Sequence, residues 1–176
     1  MTDSYDKKKY LKYKLKYLNL RDSQIAGTGV PLVSCSPNNL LKVYFNSKEI
    51  KFGQKMKLTE VEFEPIIEFD PKGKLYTILM VDPDAPSKQS PTHRYWLHMM
   101  KINNSEVVVS FNRSDPPKGT GYHRYYFYLL EQPHKFSSKD FPYATGGPFD
   151  VARFIEHHQL KIVSCTMYKT ECCLPN

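Results

Sequence analysis

The sequence predicts a mainly β fold, an antiparallel β-sandwich with a few peripheral helices. Two observations predict it. Short runs of β-type residues recur between turns rich in Gly, Pro, Asn and Asp, and helical spacing is confined to two segments near the ends of the chain. The 176 residues, 40% of them hydrophobic, are typical of one globular domain with its own core. We expect a single domain over residues 23–176 and an N-terminal extension over residues 1–22.

The N-terminal extension has the pattern of a basic amphipathic helix. Tyr10, Tyr13 and Tyr17 recur at helical spacing beside several leucines, and lysines occupy the rest of the helix surface. The extension carries seven basic and three acidic side chains, a net charge of +4, which is more than half of the +7 of the whole chain. The charge therefore describes the extension more than the domain, so nucleic acid is not an expected partner. Packing on the domain or on a second copy explains the apolar face; peripheral membrane contact and a mobile tag are the alternatives.

The compartment is predicted from hydropathy and cysteine spacing. No apolar run approaches the roughly 18–20 residues that cross a bilayer, and the N-terminus has no apolar signal core. We therefore expect a cytoplasmic protein. The four cysteines, Cys35, Cys165, Cys172 and Cys173, lack the paired spacing of a zinc site. We expect free thiols in a reducing compartment, with oxidation of the C-terminal pair as the alternative.

The first half of the domain is predicted to form short strands around one buried strand. β-Type runs lie at residues 41–45 and 52–58. Leu75–Val81 is a near-continuous apolar run, so we expect a strand that is buried on both faces. The next segment contains two prolines, which cannot donate to a β-ladder, so the strand ends there. The carboxylates of Asp82 and Asp84 are therefore presented at a strand end.

Alternation predicts which side chains share a face in the later strands. In the strand Tyr95–Ile102, His98 is expected beside Trp96 and Met100, on the face opposite Met99. Beyond it we expect two more strands, at residues 107–111 and 122–131. A helix at residues 151–160, which Asp150 caps, and a last strand at residues 161–170 should follow. The second of these strands places His123 and Tyr125 on one face, directly after a Pro- and Gly-rich turn.

These strand ends predict a site for a small anion or a phosphate. Asp82, Trp96, His98, His123 and Tyr125 are expected to converge there. A carboxylate that accepts a hydrogen bond from an imidazole fixes the tautomer of the ring and leaves the other ring nitrogen to donate to a phosphate oxygen. Glycine-flanked backbone N–H groups of the turn before His123 can add donors. Two structural alternatives stay open: Asp82 or Asp84 forms an Asx-turn, and Trp96 and Tyr125 belong to the core.

The sequence favours binding over catalysis. It contains no Gly-x-Ser-x-Gly elbow, no His-Glu-x-x-His, no P-loop and no dinucleotide fingerprint. Asp82, His98 and His123 are of the residue types that serve as general acids and bases or hold a metal, but no nucleophile accompanies them. We therefore expect a protein that is not an enzyme, with no catalytic residues, no metal and no cofactor.

Three segments follow one another along the chain: VDPDAPS (81–87), HRYWLHMM (93–100) and DPPKGTGYHRYYFYLLEQ (115–132). Together they resemble the signature regions of the phosphatidylethanolamine-binding protein family, which includes kinase inhibitors and flowering regulators. The resemblance implies a large central antiparallel sheet packed on a smaller sheet, with a small anion pocket at one end. The run KKYLKYK (8–14) is also similar to leaders of proteins from giant DNA viruses, which implies a viral origin and a possible place in a virion.

Carried over by position, the resemblance assigns pocket roles to nine residues in all. Asp82, Trp96, His98, Pro116, His123 and Tyr125 match pocket residues of the family, with Ala85 and Pro86 at the rim and Asp115 at the lip. It also implies cis peptide bonds at Ala85-Pro86 and Arg94-Tyr95. The implied ligand is a phosphatidylethanolamine-like head group or another phosphorylated molecule, and the implied partner is a protein kinase or a protease.

Three departures from the family pattern carry expectations of their own. Leu97 stands where a second histidine is common, so we expect one imidazole fewer near the pocket. Asp115 replaces a glycine, and its carboxylate should repel an anion or favour a ligand that carries an ammonium group. The chain ends at Asn176 without the helix that covers the pocket in animal members, so we expect a more open pocket.

Overall fold

The computed structural model describes Cys35, residues 40–141 and residues 147–172. All of them lie in the unit Val33–Asn176, and the predicted N-terminal helix lies outside the described residues. The described part forms nine strands and one α-helix, with short 3-10 turns at Leu58–Glu60 and Ser138–Asp140. The strands are β1 (Lys42–Phe45), β2 (Lys48–Glu49), β3 (Gln54–Lys55), β4 (Ile66–Glu68), β5 (Tyr76–Asp82), β6 (Trp96–Ile102), β7 (Glu106–Val109), β8 (His123–Glu131) and β9 (Lys161–Thr170), and the helix is α1 (Val151–His157).

The strands form two sheets. Six strands lie side by side in the order β3-β9-β8-β5-β6-β7, and three form a smaller sheet in the order β2-β1-β4. Among these described strands, each pairing is antiparallel apart from the two-residue pairing of β3 with β9, which is parallel. The prediction of a mainly β fold with a larger and a smaller sheet is confirmed. The antiparallel arrangement is confirmed in part, because β3 departs from it.

The core lies where β1 of the smaller sheet meets the larger sheet. The ring of Phe45 in β1 lies edge-on to Tyr168 of β9, with 5.5 Å between ring centroids, and 6.4 Å from the ring of Phe127 in β8. Val43 of β1 and Met80 of β5 belong to the same buried cluster. Burial of each such side chain contributes about 1.5–3 kcal/mol, so the alternate buried positions of β1 hold the two sheets together.

Two local predictions are confirmed. All seven residues of β5 are buried, because this strand lies in the middle of the larger sheet between β8 and β6. The helix begins where Asp150 accepts a hydrogen bond from the backbone N–H of Arg153, at 3.0 Å, which satisfies one of the N–H groups that a helix start leaves without a partner. Among the described helices, none has both the length and the apolar character needed to span a membrane.

One prediction about the cysteines is wrong. Cys35 and Cys165 form a disulfide, with 5.7 Å between their Cα atoms. The bond ties the segment before β1 to the middle of β9, beside the backbone hydrogen bond from the N–H of Leu41 to the carbonyl of Cys165. The two cysteines are 130 residues apart in sequence, so spacing along the chain does not reveal the pair. Cys172 is a half-buried free thiol.

Candidate functional site

Three adjacent strands of the larger sheet bring the predicted polar residues together. Asp82 is the last residue of β5, His98 lies in β6, and His123 is the first residue of β8. Because β5 lies between β8 and β6, the end of β5 and the start of β8 meet at one edge of the sheet. Tyr125 follows on the same face of β8, where its ring contacts that of His98. We call the group Asp82, His98, His123 and Tyr125 the strand-end site.

Asp82 and His123 form a buried pair. Nδ1 of His123 lies 2.8 Å from Oδ2 of Asp82, and both side chains are almost fully buried. The second carboxylate oxygen, Oδ1, accepts a hydrogen bond from the backbone N–H of Asp84 at 2.7 Å. This second bond is an Asx-turn, which confirms that alternative for Asp82. Both oxygens of Asp82 are therefore engaged within the protein.

The other ring nitrogen of His123 contacts Thr120, which sequence reasoning missed. Nε2 of His123 lies 2.9 Å from Oγ1 of Thr120, and the same hydroxyl lies 2.7 Å from the carbonyl oxygen of Pro117. A carbonyl only accepts, so the hydroxyl donates its one proton to Pro117 and accepts from Nε2 of His123. Both ring nitrogens of His123 are therefore engaged within the protein, and the expectation that the second one is left to donate to a phosphate oxygen is wrong. The turn that places Thr120 needs the left-handed backbone of Gly119 and Gly121, at φ values of 80° and 76°. The signal in the sequence was a hydroxyl residue three positions before His123 within that turn.

A β-bulge positions His98. Along the β5–β6 pairing, Met80 is opposite Met99 and Val81 is opposite Leu97, so His98 has no residue opposite it. Such a bulge turns the side chain of the extra residue and shifts the alternation beyond it. Met99 accordingly lies in the core cluster with Met80. The predicted alternation, which placed Met100 on that face, is wrong beyond His98.

The bulge also bears on the face of β6 on which Leu97 lies. Leu97 is buried opposite Val81, and neither residue belongs to the core cluster that contains Met80 and Tyr125. Leu97 therefore lies on the other face of β6 from His98. The expectation that its identity removes an imidazole from the neighbourhood of the site is wrong, because a histidine at this position would face away.

Among the described residues, one ring nitrogen of His98 has a hydrogen-bond partner and the other has none. Nδ1 lies 2.9 Å from the backbone carbonyl oxygen of Asn112, and a carbonyl only accepts, so Nδ1 carries a hydrogen and donates it. Nε2 is buried and has no hydrogen-bond partner among the described residues. Burial lowers the pKa of His98, against the opposing effects of the Asn112 carbonyl and the Asp82 carboxylate. Nδ1 is therefore committed as a donor to the backbone, and Nε2 is the ring atom that a ligand could contact.

Aromatic rings form the wall behind His98. The rings of His98 and Tyr125 meet edge to face at 5.1 Å between centroids, and Tyr125 stacks on Tyr168 at 5.2 Å. Burial raises the pKa of Tyr125, as do the charge of Asp82 and, more weakly, that of Asp115. Tyr125 is thus both a core residue and a member of the site, so the two alternatives open for it are not exclusive.

A second buried pair supports the turn that carries Asp82. The carboxylate of Asp84 accepts three hydrogen bonds from Arg124, at 3.0 Å from the backbone N, 2.8 Å from Nε and 2.6 Å from Nη2. This carboxylate raises the pKa of Arg124. Sequence reasoning missed Arg124, because its side chain lies on the face of β8 opposite the predicted site and reaches Asp84 around the strand end.

The remaining predicted residues differ in exposure. Ala85 and Pro116 are buried, Pro86 and Trp96 are half-buried, and Asp115 is exposed. Trp96 lies opposite Asp82 in the strand register, and its ring centroid lies 5.9 Å from that of His93. The cis peptide bonds at Ala85-Pro86 and Arg94-Tyr95 are both present. The described residues contain no group of three or more His, Cys, Asp or Glu that is arranged to hold a metal ion.

A separate groove lies at the opposite end of the core. It has a volume of about 550 Å³ and is lined by residues that include Leu41, Phe69, Leu129 and Ser164. The groove shares no residue with the strand-end site. Its lining brings together no buried carboxylate and imidazole, so the strand-end site remains the candidate.

Comparison with known proteins identifies the family. A family model described as phosphatidylethanolamine-binding protein matches residues 37–107. A phosphatidylethanolamine-binding protein homolog of Acanthamoeba polyphaga mimivirus is 38% identical over 141 residues, which cover 76% of this chain and 99% of that protein. The chain belongs to the phosphatidylethanolamine-binding protein family. The mimivirus relative is also compatible with the predicted viral origin.

Two further comparisons concern a relative and a solved structure. A relative from Drosophila melanogaster is 30% identical over 139 residues, which cover 70% of this chain and 66% of that protein, just under two thirds. The solved structure of a carboxypeptidase Y inhibitor complexed with its cognate proteinase has a TM-score of 0.67 at 22% identity, over 77% of this chain and 84% of that one. This likeness shows that the inhibitor and the present protein share a fold.

Proposed function

We propose that this protein is a regulatory binding protein, not an enzyme, whose strand-end site holds a small anion. The favoured anion is the phosphate of a phosphatidylethanolamine-like head group or of another phosphorylated ligand. The observation that carries the proposal is the buried Nε2 of His98, a polar atom without a partner among the described residues, beside the Asp82–His123 pair. A buried polar atom without a hydrogen bond destabilises a protein by about 1–3 kcal/mol, so such an atom at a strand end indicates a place for a ligand.

The charges around the site are compatible with an anion. The carboxylate of Asp82 pairs with His123, and that of Asp84 pairs with Arg124. Neither carboxylate therefore faces the site without a hydrogen-bonded partner. Asp115, exposed at the lip, is suited to an ammonium group on the same ligand. Phosphoethanolamine combines these two charges in one small molecule.

Calorimetric titration of phosphoethanolamine tests the proposal. The wild-type protein is compared with His98→Ala and His123→Ala, and with His157→Ala, which alters an exposed histidine of α1, as a control for folding. We expect both site variants to lose at least about tenfold in affinity and the control to bind as the wild type does. His98→Ala loses the ring nitrogen without a partner, and His123→Ala leaves the buried Asp82 carboxylate without its imidazole, so that it repels an anion. Equal binding by all four proteins would refute the proposal.

A second candidate function is inhibition of a protease or a kinase through protein–protein contact. The shared fold with a carboxypeptidase Y inhibitor that forms a complex with its proteinase favours this candidate. An inhibition assay with carboxypeptidase Y, using the wild type and His98→Ala, separates the two functions. Inhibition that the site variant retains in full supports contact through the surface, whereas absence of inhibition removes the support that this likeness lends.

A further inference from the structure

We propose that the bend before β4 is a docking surface for a basic segment of a partner protein, in which an apolar side chain lies between lysines or arginines. The surface consists of Phe63 and Ile66, flanked along the chain by the carboxylates of Glu62, Glu64 and Glu68, and we call it the acidic–apolar surface. Among the described residues, Phe63 and Ile66 are the most exposed of the large apolar side chains, at 68% and 67%. Two such side chains so close together indicate a surface that contacts another molecule. The acidic–apolar surface shares no residue with the strand-end site.

The backbone that presents Phe63 is held on both sides. Val61 belongs to the buried core cluster and Pro65 is buried, whereas residues 62–64 between them are exposed. Ile66 follows at the start of β4, an edge strand of the smaller sheet. An aromatic side chain on a fixed backbone loses little conformational freedom when a partner encloses it. Phe63 therefore has the character of the anchor residues that dominate protein–protein binding.

Two ion pairs lie on either side of Phe63. Oε1 of Glu62 lies 3.4 Å from Nη1 of Arg113, and Oε1 of Glu64 lies 2.7 Å from Nζ of Lys101. Both pairs are partly exposed, so each contributes little to stability in water. They attach the bend to β6 and to the segment after β7, and they supply the polar rim that surrounds an apolar anchor in protein interfaces.

The charge of the surface favours a basic partner. Residues 58–70 contain five carboxylates and neither lysine nor arginine, in a chain whose net charge is +7. Glu68 lies on the same face of β4 as Ile66 and accepts a hydrogen bond from the hydroxyl of Tyr44 at 3.1 Å; among the described residues it has no cationic partner. Nucleic acid and an anionic membrane would meet like charge here, and so would a second copy that placed the same surface against itself. A segment with lysines or arginines around an apolar residue fits both the carboxylates and Phe63.

Fluorescence anisotropy with three labelled synthetic peptides tests the surface on the full-length protein. The first peptide has a central leucine between lysines, the second has serine in place of the leucine, and the third has glutamines in place of the lysines. We expect the first peptide to bind at least about tenfold more tightly than either of the others. Its affinity should fall as salt is added, because the carboxylates attract the lysines less strongly.

Substitutions locate this binding on the acidic–apolar surface. Phe63→Ser should lower the affinity for the lysine–leucine peptide at least about tenfold, and Phe63→Leu, which stays apolar, should retain most of it. Phe52→Ser alters another exposed phenylalanine and is the matched control, which should bind as the wild type does. Glu68→Gln removes a charge without a cationic partner, so its binding should depend less steeply on salt.

The same variants separate this surface from a packing role and from the proposed function. Phe63→Ser should leave both the denaturation midpoint and the binding of phosphoethanolamine unchanged, because the side chain is exposed and lies outside the strand-end site. Equal peptide binding by Phe63→Ser and the wild type, or a midpoint lowered by this substitution, would overturn the docking surface and leave the proposed function standing. A dimer of the wild type that Phe63→Ser dissociates in sedimentation velocity would assign the surface to a second copy and overturn the proposal as well.

Discussion

Asp84 receives three hydrogen bonds from one residue, Arg124, and its carboxylate is fully buried. The backbone N–H and the guanidinium of Arg124 together enclose the carboxylate, so the strand end of β5 is attached to the start of β8 by a charge pair. This attachment supports the hydrogen bond between Asp82, two residues before Asp84, and His123, the residue before Arg124. The stability of the fold and the geometry of the site therefore depend on the same pair.

Removal of Arg124 from this pair should destabilise the protein strongly. Arg124→Met removes the guanidinium and its two hydrogen bonds and leaves the buried Asp84 carboxylate with the backbone N–H of residue 124. Loss of the charged partner of a buried ion lowers the free energy of unfolding by about 3–5 kcal/mol. The matched control is Lys74→Met, which breaks the exposed pair of Lys74 with Glu131 and should lower it by less than about 1 kcal/mol. Urea denaturation of both variants measures the difference. Similar losses for the two variants would contradict this account.

Thr120 should contribute to ligand affinity through His123. Thr120→Val keeps the shape of the side chain and removes the hydroxyl that contacts Nε2 of His123 at 2.9 Å. The ring then loses one of its two hydrogen-bond partners, and we expect phosphoethanolamine to bind about three- to tenfold more weakly. Thr92→Val changes an exposed threonine and serves as the control in the same titration. An unchanged affinity in Thr120→Val would show that Asp82 alone orients the ring.

Acid should destabilise the fold through His158. Burial among Phe136, Phe141 and Phe154 lowers the pKa of His158 to about 4, and the neighbouring His157 acts in the same direction. The unfolded chain then binds a proton at a higher pH than the folded protein does. The stabilisation is complete above the ordinary histidine pKa of about 6.5 and is lost as the pH falls towards about 4.

Thermal denaturation as a function of pH measures this loss. We expect about 1–2 kcal/mol between pH values of about 7 and 4, a figure reduced because His158 is half-buried and water screens part of the effect. His158→Phe should flatten the pH dependence, whereas His157→Phe, which removes only the smaller effect of a neighbouring charge on the His158 pKa, should leave most of it in place. The buried His98 contributes in the same direction, so some dependence remains. An unaltered pH profile in His158→Phe would exclude His158 as its source.

The disulfide should be a major source of stability. A cross-link that closes a loop of this length, with its cysteines 130 residues apart, contributes about 3–5 kcal/mol by restricting the unfolded chain. We expect reductant, or Cys35→Ala, to lower the denaturation midpoint, and Cys172→Ala to leave it unchanged. Thiol labelling of the native protein should find neither Cys35 nor Cys165 reactive. A midpoint that does not respond to reductant would contradict the bond.

Local patterns predicted most of the fold and the four side chains of the strand-end site, but not the contacts that position them. The apolar run that became β5 and the prolines after it place Asp82 at a strand end, and alternation in β8 runs unbroken from His123 to Leu129. These features depend on residues that are neighbours in sequence. The pairing of Asp82 with His123 then follows from the adjacency of β5 and β8 in the sheet, which local patterns do not specify.

The features that sequence reasoning missed depend on contacts between distant segments. The bulge at His98 arises from the register of β6 against β5, and no glycine or proline in HRYWLHMM (93–100) marks it. The carbonyl that fixes the tautomer of His98 belongs to Asn112, 14 residues later. The disulfide and the Asp84–Arg124 pair likewise join elements that alternation and spacing do not relate. Each of these contacts follows from tertiary structure.

The bulge at His98 makes the chemistry of the site depend on the number of residues in β6 as well as on their identity. Removal of one residue after His98 would restore regular alternation and bring His98 opposite Met80, into the position that Met99 occupies in the core. The histidine would still be present in the sequence, yet the site would lose it. The identity of the residues in β6 therefore does not by itself determine which side chain enters the site.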